Sequence, residues 1–204
     1  MGDHAARQLI RVQNWRRRGR GGSQRITARL DAHESELIAS LVGSMTELLD
    51  ERSQSAPTDD LSALTGIETG HSAPPDDATL GRLLPDFHRP DQDRELVADT
   101  VTGDLNGALR SVHEPHIIAT KMSAAQVVLD TLPPGGGDVS LTPAQAEQWL
   151  TAVNDVRLAL GAMLGVTEHT PDQLPPDDPQ AAHLDVYHWL TVVQELLVVA
   201  LMGK

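Results

Sequence analysis

The sequence predicts a mainly α fold: a helical bundle of four to five main helices with a small N-terminal β-hairpin. Three observations predict it. Apolar residues recur at helical spacing through windows free of proline, at 1–56, 91–114, 144–170 and 180–204. Ile26, Ala28 and Leu30 alternate with Thr27 and Arg29, the period of a half-buried strand. Aromatic residues make up only 2% of the 204 residues, so the core has to be aliphatic and is most economically assembled from packed helices.

Taken in order, Trp15 to Leu30 reads as the hairpin, its first strand running from about Ile10 to Arg18 and Gly19, Gly21 and Gly22 supplying the turn; residues 1–8 are expected to fray. The first helix starts at Asp31, whose carboxylate caps the N3 amide while Glu34 reaches back, and ends near Arg52. Short helices are expected at Asp60 to Leu64 and Ala78 to Leu84. Pro85 and Pro90 bracket a rigid turn. A helix over Asp104 to Val112 is expected to stop at Pro115, which suits the first position of a new helix running up to Pro133. Asp138 to Leu141 is a candidate third strand. Thr142-Pro143-Ala144-Gln145 combines a cap hydroxyl, a proline at N1 and a capping-box glutamine, and Gly165 closes the helix it starts. The last helix is expected to begin at Asp178-Pro179 and run to Leu201. It is apolar nearly all round, which predicts a place at the bundle centre or in an oligomer interface.

Charge divides the chain into a basic arm, 1–30, and a single acidic helical domain, 31–204. The arm holds eight Arg against one Asp, a net +7; the remainder holds eight basic and 28 acidic residues, a net −20. There is no cysteine, so this chain has no disulfide, thiolate metal site or thiol switch of its own. The basic start is not followed by an apolar signal region. The most apolar stretch, Val186 to Met202, is interrupted by His188, Gln194 and Glu195 and reads as a buried helix rather than a membrane span. A cytoplasmic protein that does not engage a membrane is the expectation.

Four segments in order are similar to one family: Arg82-Leu-Leu-Pro-Asp-Phe-His-Arg-Pro-Asp91, Leu109-Arg-Ser-Val-His-Glu-Pro115, Trp149-Leu-Thr-Ala-Val-Asn-Asp-Val-Arg-Leu-Ala-Leu-Gly161 and Val186-Tyr-His-Trp-Leu-Thr-Val-Val-Gln-Glu195. The chain resembles, from about Trp15 to Gly203, an actinobacterial family of cytosolic proteins that includes oxidative-stress transcriptional regulators of the AosR type. The resemblance implies a regulatory role through DNA and the transcription machinery, and it supplies no catalytic residues. The absence of cysteine sets this sequence apart from any member that senses oxidants through a cysteine pair.

Two residue groups are candidates for function. Arg16, Arg17, Arg18, Arg20, Arg25 and Arg29 sit on or beside the hairpin, and guanidinium groups pair bidentately with phosphate. They are expected to meet DNA or an acidic protein face; docking onto the chain's own acidic body is the competing reading. Arg110, His113, Glu114, Asn154, Asp155, Arg157 and Glu195 interrupt apolar helices, either as a polar pocket or as paired groups that fix helix register. The spacing of His113 and His116 hints at metal ligation, but a proline lies between them, so no metal is expected. Phosphate-binding loops, nucleophile elbows and zinc-protease motifs are absent. The expectation is therefore a non-enzymatic regulator without cofactor, with DNA, a protein of the transcription machinery and a second copy of itself as candidate partners. A protein-only adaptor or oligomeric scaffold is the alternative.

Overall fold

The computed structural model describes residues 15–57, 69–88 and 99–203, apart from the side chains of 99–102. The expected fraying of 1–8, the strand start at Ile10, the short helix at Asp60 to Leu64 and the Pro90 end of the rigid turn lie outside the described residues. Strands β1 (Arg16–Arg18), β2 (Arg25–Leu30) and β3 (Gly137–Leu141) form an antiparallel sheet in that order. Around it pack α1 (Ala32–Gln54), α2 (Ala78–Leu83), α3 (Asp99–Thr131), α4 (Pro143–Met163) and α5 (Ala181–Met202). The predicted mainly α fold, its hairpin and its third strand are all present.

The two capping boxes form as their residues dictate. Asp31 accepts from the Glu34 amide at 2.8 Å while Glu34 accepts from the Asp31 amide at 2.8 Å; Thr142 and Gln145 repeat the exchange at the start of α4. Glu34 is held almost entirely out of water, with the Trp189 indole of α5 near it but not hydrogen-bonded. Burial raises its pKa above the usual 4.5, with the Asp31 carboxylate adding to the rise; the Asp31 amide and His33 work against it. A raised carboxyl pKa favours the folded state fully below pH 4.5, and that contribution is lost as pH rises through the folded value. Glu34→Gln keeps the cap acceptor and removes the buried charge. Urea unfolding of this variant should show higher stability than wild type at pH 7 and a flatter pH dependence above pH 4.5.

Pro115 does not end a helix, which corrects the expected break. α3 runs unbroken through it. A proline at this position leaves the Ser111 carbonyl without its helical donor. The Gly70 amide, from the segment between α1 and α2, supplies that donor at 2.7 Å. A Cβ on Gly70 would stand 2.9 Å from the Pro115 Cδ, so only glycine approaches this closely. Gly70→Ala should cost about 1–3 kcal/mol, read as a lower denaturant midpoint, because a ring and a helix backbone cannot swing aside.

The bundle centre is α4, not the last helix. Ala146, Trp149, Ala152, Val153, Val156 and Leu160 are buried against neighbours on several sides. The small alanines let α1, α2, α3 and α5 all pack against it. Trp149 stacks edge-on with Trp15 and donates to the Thr131 hydroxyl at 2.8 Å. α5 lies to one side, packed mainly on α4 and touching β1, with Val192, Val199 and Met202 facing outward. By length and composition α5 is apolar enough to cross a membrane. It begins at Ala181 rather than at Asp178, because the Asp178 carboxylate and carbonyl are spent on a turn, accepting from the amides of Gln180 and Ala181.

Candidate nucleic-acid interface

The register of the sheet sorts the arginines. Residues directly opposite each other share a face. Arg17 is opposite Ile26, which is fully buried, whereas Arg16 is opposite Thr27, Arg18 opposite Arg25, and Arg29 opposite Asp138. Ile26, Ala28, Leu30, Val139 and Leu141 pack inward in the same apolar cluster as α1 and α4. Arg16, Arg18, Arg25 and Arg29 are consequently displayed on the outer face, all exposed. Arg17 is turned toward the end of α5, where its guanidinium donates to the Leu201 carbonyl at 3.4 Å and lies over Gly203. There it complements the negative end of the helix. Arg20 sits exposed in the turn.

Among the described residues, Arg29 alone of these six meets a carboxylate, Asp138 at 3.5 Å, and both side chains are largely in water. Such a pair contributes little. The side chains of Arg18 and Arg25 oppose each other as like charges, which costs the sheet about 0.2–1 kcal/mol. Arg18→Thr should therefore raise thermal stability slightly while weakening retention on a polyanion column; a stability loss would show that the repulsion is relieved inside the molecule.

Four cations of the helical body, Arg52, Arg110, Lys121 and Arg157, are spent internally, whereas Arg82 on α2 is exposed. Arg110, almost wholly buried, donates to the Leu84 carbonyl at 3.0 Å, to Glu114 at 2.9 Å and to Asp86 at 2.8 Å. Arg52 adds a second guanidinium to Glu114 at 2.9 Å and reaches the Ala73 carbonyl at 2.7 Å. Lys121 of α3 pairs with buried Asp155 of α4 at 2.7 Å. Arg157 donates to Gln194 at 2.9 Å, to the Tyr187 hydroxyl at 3.1 Å and to Asn154 at 3.2 Å.

The seven pocket candidates thus fall into separate networks. Arg110 and Glu114 belong to one, Asp155 to a second, Asn154 and Arg157 to a third. His113 is exposed beside Phe87, and Glu195 points to solvent. A cavity of 320 Å³ beside the Pro115 turn is lined by Arg52, Gly70, His71, Glu114 and Ile118 among others, and Glu114 is the only one of the seven that reaches it. Among the described residues no cluster of His, Asp or Glu has the geometry of a metal site. Sequence reasoning missed Arg52, Asp86, Lys121 and Tyr187. Gln194 and Glu195 both interrupt the last helix, but adjacent helix positions diverge by about 100°, and Gln194 is the one that faces α4.

The four sequence segments pair up in these networks. The segment beginning at Arg82 joins the one beginning at Leu109 through Arg110, Leu84 and Asp86. The segment beginning at Trp149 joins the one beginning at Val186 through Asn154, Arg157, Tyr187 and Gln194, with Gly161 leaving room for the Tyr187 ring. A family model described as a domain of unknown function, DUF2017, matches residues 12–201. The chain belongs to the DUF2017 family. The DUF2017 chain is 49% identical over 195 residues to the "Oxidative stress regulator AosR" of Mycobacterium tuberculosis H37Rv and to that of Mycobacterium bovis, covering 95% of this chain and 89% of each relative. It is 47% identical over 194 residues to the "Putative oxidative stress regulator AosR" of Mycobacterium leprae, covering 94% and 89%. No solved structure matches the DUF2017 chain.

Proposed function

We propose that this chain is a non-enzymatic regulatory protein of the cytoplasm that binds duplex DNA through the outer face of its arginine hairpin. One observation carries the reading: Arg16, Arg18, Arg25 and Arg29 share one exposed sheet face, and among the described residues only Arg29 has a carboxylate partner. The regulatory names of the relatives support it. So does the state of four cations of the helical body, since Arg52, Arg110, Lys121 and Arg157 are committed to internal networks. Each arginine that neutralises a phosphate releases counterions, so affinity will fall steeply with salt, and screening of the acidic body's repulsion will offset part of that fall. The test is fluorescence anisotropy with duplex DNA at about 50 mM and 200 mM salt. Binding that weakens by at least tenfold over this interval is expected; no binding at the lower salt overturns the reading.

The helical body serves in this proposal to dock a protein of the transcription machinery or a second copy. Exposed Phe87, Leu105 and Val112, the last two on α3, and Val192, Val199 and Met202 on α5 favour that role. They are also the specific observation behind the second reading, an adaptor that binds proteins only. Co-purification of a protein partner from a chain that binds no DNA would select the adaptor. With no cysteine, this chain answers oxidants, if it does so itself, by chemistry other than a thiol switch.

A further inference from the structure

We infer that the tip of the hairpin enters the minor groove of A·T-rich duplex DNA, with Arg20 as the inserted side chain; this rests on the DNA reading above and names the substrate class. The strands end at the Arg18–Arg25 pair, and residues 19–24 make the turn. Three of these six are glycine, and the stretch Trp15 to Leu30 contains no acidic residue. The turn is nevertheless held in one shape. The Ser23 hydroxyl donates to the Arg20 carbonyl at 2.9 Å, and the Gln24 amide donates to the Gly21 carbonyl at 3.1 Å. Gly19 has a φ of +78°, and a Cβ there would stand 2.6 Å from the Ser23 carbonyl oxygen. Cβ atoms built on Gly21 and Gly22 meet nothing within 4 Å, so both glycines face open space. The result is a stiff, bare-backbone prow with one exposed guanidinium, and its ordering cost on binding is already met by folding.

That shape selects among grooves. A helix with its side chains is about 10–12 Å across and, like a two-stranded ribbon carrying its side chains, fits the major groove of about 12 Å rather than the minor groove of about 6 Å. A tip that is bare backbone at Gly21 and Gly22 can follow the Arg20 guanidinium into the latter. A·T-rich minor grooves are narrower still and more negative, which draws an inserted arginine. Their floor offers only acceptors, matching a guanidinium that only donates, while a G·C pair projects the guanine N2 donor into its path. Arg18 and Arg25, on the outer face at the base of the prow, are placed to meet phosphates on the groove rim.

The test uses full-length protein and three duplexes of equal length at one low salt concentration: A·T, G·C, and inosine·C, which keeps the major-groove pattern of G·C but lacks the guanine N2 amine. A·T and inosine·C duplexes should both bind about tenfold more tightly than G·C. Arg20→Ala should erase the difference, leaving a weak salt-dependent affinity from the sheet face. Gly22→Leu should do the same by thickening the prow, with an unchanged melting temperature because the new side chain meets nothing in the protein. Equal affinity for all three duplexes, or inosine·C behaving as G·C, overturns the minor-groove inference and leaves DNA binding standing. Failure to bind any of the three overturns the DNA reading itself.

Discussion

Replacing Arg16, Arg18, Arg25 and Arg29 together by glutamine should lower duplex DNA affinity by roughly a hundredfold to a thousandfold at low salt. Each guanidinium that neutralises a phosphate contributes about 0.9 to the slope of log affinity against log salt, so the slope should fall by about 3 to 4. The fold should be unaffected, because all four side chains lie in water and one like-charge opposition is removed. Arg17→Gln provides the internal contrast. Its side chain serves the end of α5, so the variant should melt slightly lower while the salt slope stays within about one unit of wild type. Identical slopes for wild type and the fourfold variant would remove the outer sheet face from any DNA contact. A large slope change from Arg17→Gln alone would show that the register argument assigns the wrong face.

Glu114→Ala should be the most damaging single substitution in the helical body. One carboxylate, with its side chain 2% exposed, serves two guanidinium groups, Arg52 and Arg110, and the Arg110 side chain is equally hidden. Removing it leaves both cations without their shared anion, and the Arg110 Nε already lacks a hydrogen-bond acceptor. Breaking a buried pair in this way costs about 3–5 kcal/mol, which for a domain of this size is a fall in melting temperature of roughly 6–20 °C. The compensated variant Arg110→Met with Glu114→Leu should recover part of that loss, since it removes the two most deeply buried charges together and leaves Arg52, at the rim, its bond to the Ala73 carbonyl. Calorimetry on the pair of variants separates the cost of an orphaned charge from the cost of lost packing: equal destabilisation of both would mean that the network matters through shape and not through charge.

The elements legible in the sequence were those written in local chemistry. Asp31 with Glu34, and Thr142 with Pro143 and Gln145, specify helix starts because a cap needs only residues a turn apart. The alternation over Ile26 to Leu30 specifies a strand with a single wet face, and the excess of arginine on that strand and its neighbour was countable before any fold was known. From these came the mainly α class, the hairpin, the third strand and the basic candidate surface.

What required the tertiary structure was everything decided between distant residues. Pro115 reads locally as a break, yet the chain stays helical because Gly70, 45 positions earlier, donates to the carbonyl that proline cannot serve. Val186 to Met202 reads as the most apolar helix and hence the centre, yet the small-residue faces of α4 admit more neighbours and take that place. Six arginines look equivalent in a row; pairing register across β1, β2 and β3 sends four outward, leaves Arg20 on the tip and turns Arg17 to a helix end. Composition sets how much charge and apolar surface a chain carries. Only pairing and packing, which join residues far apart in sequence, decide which of those charges face water.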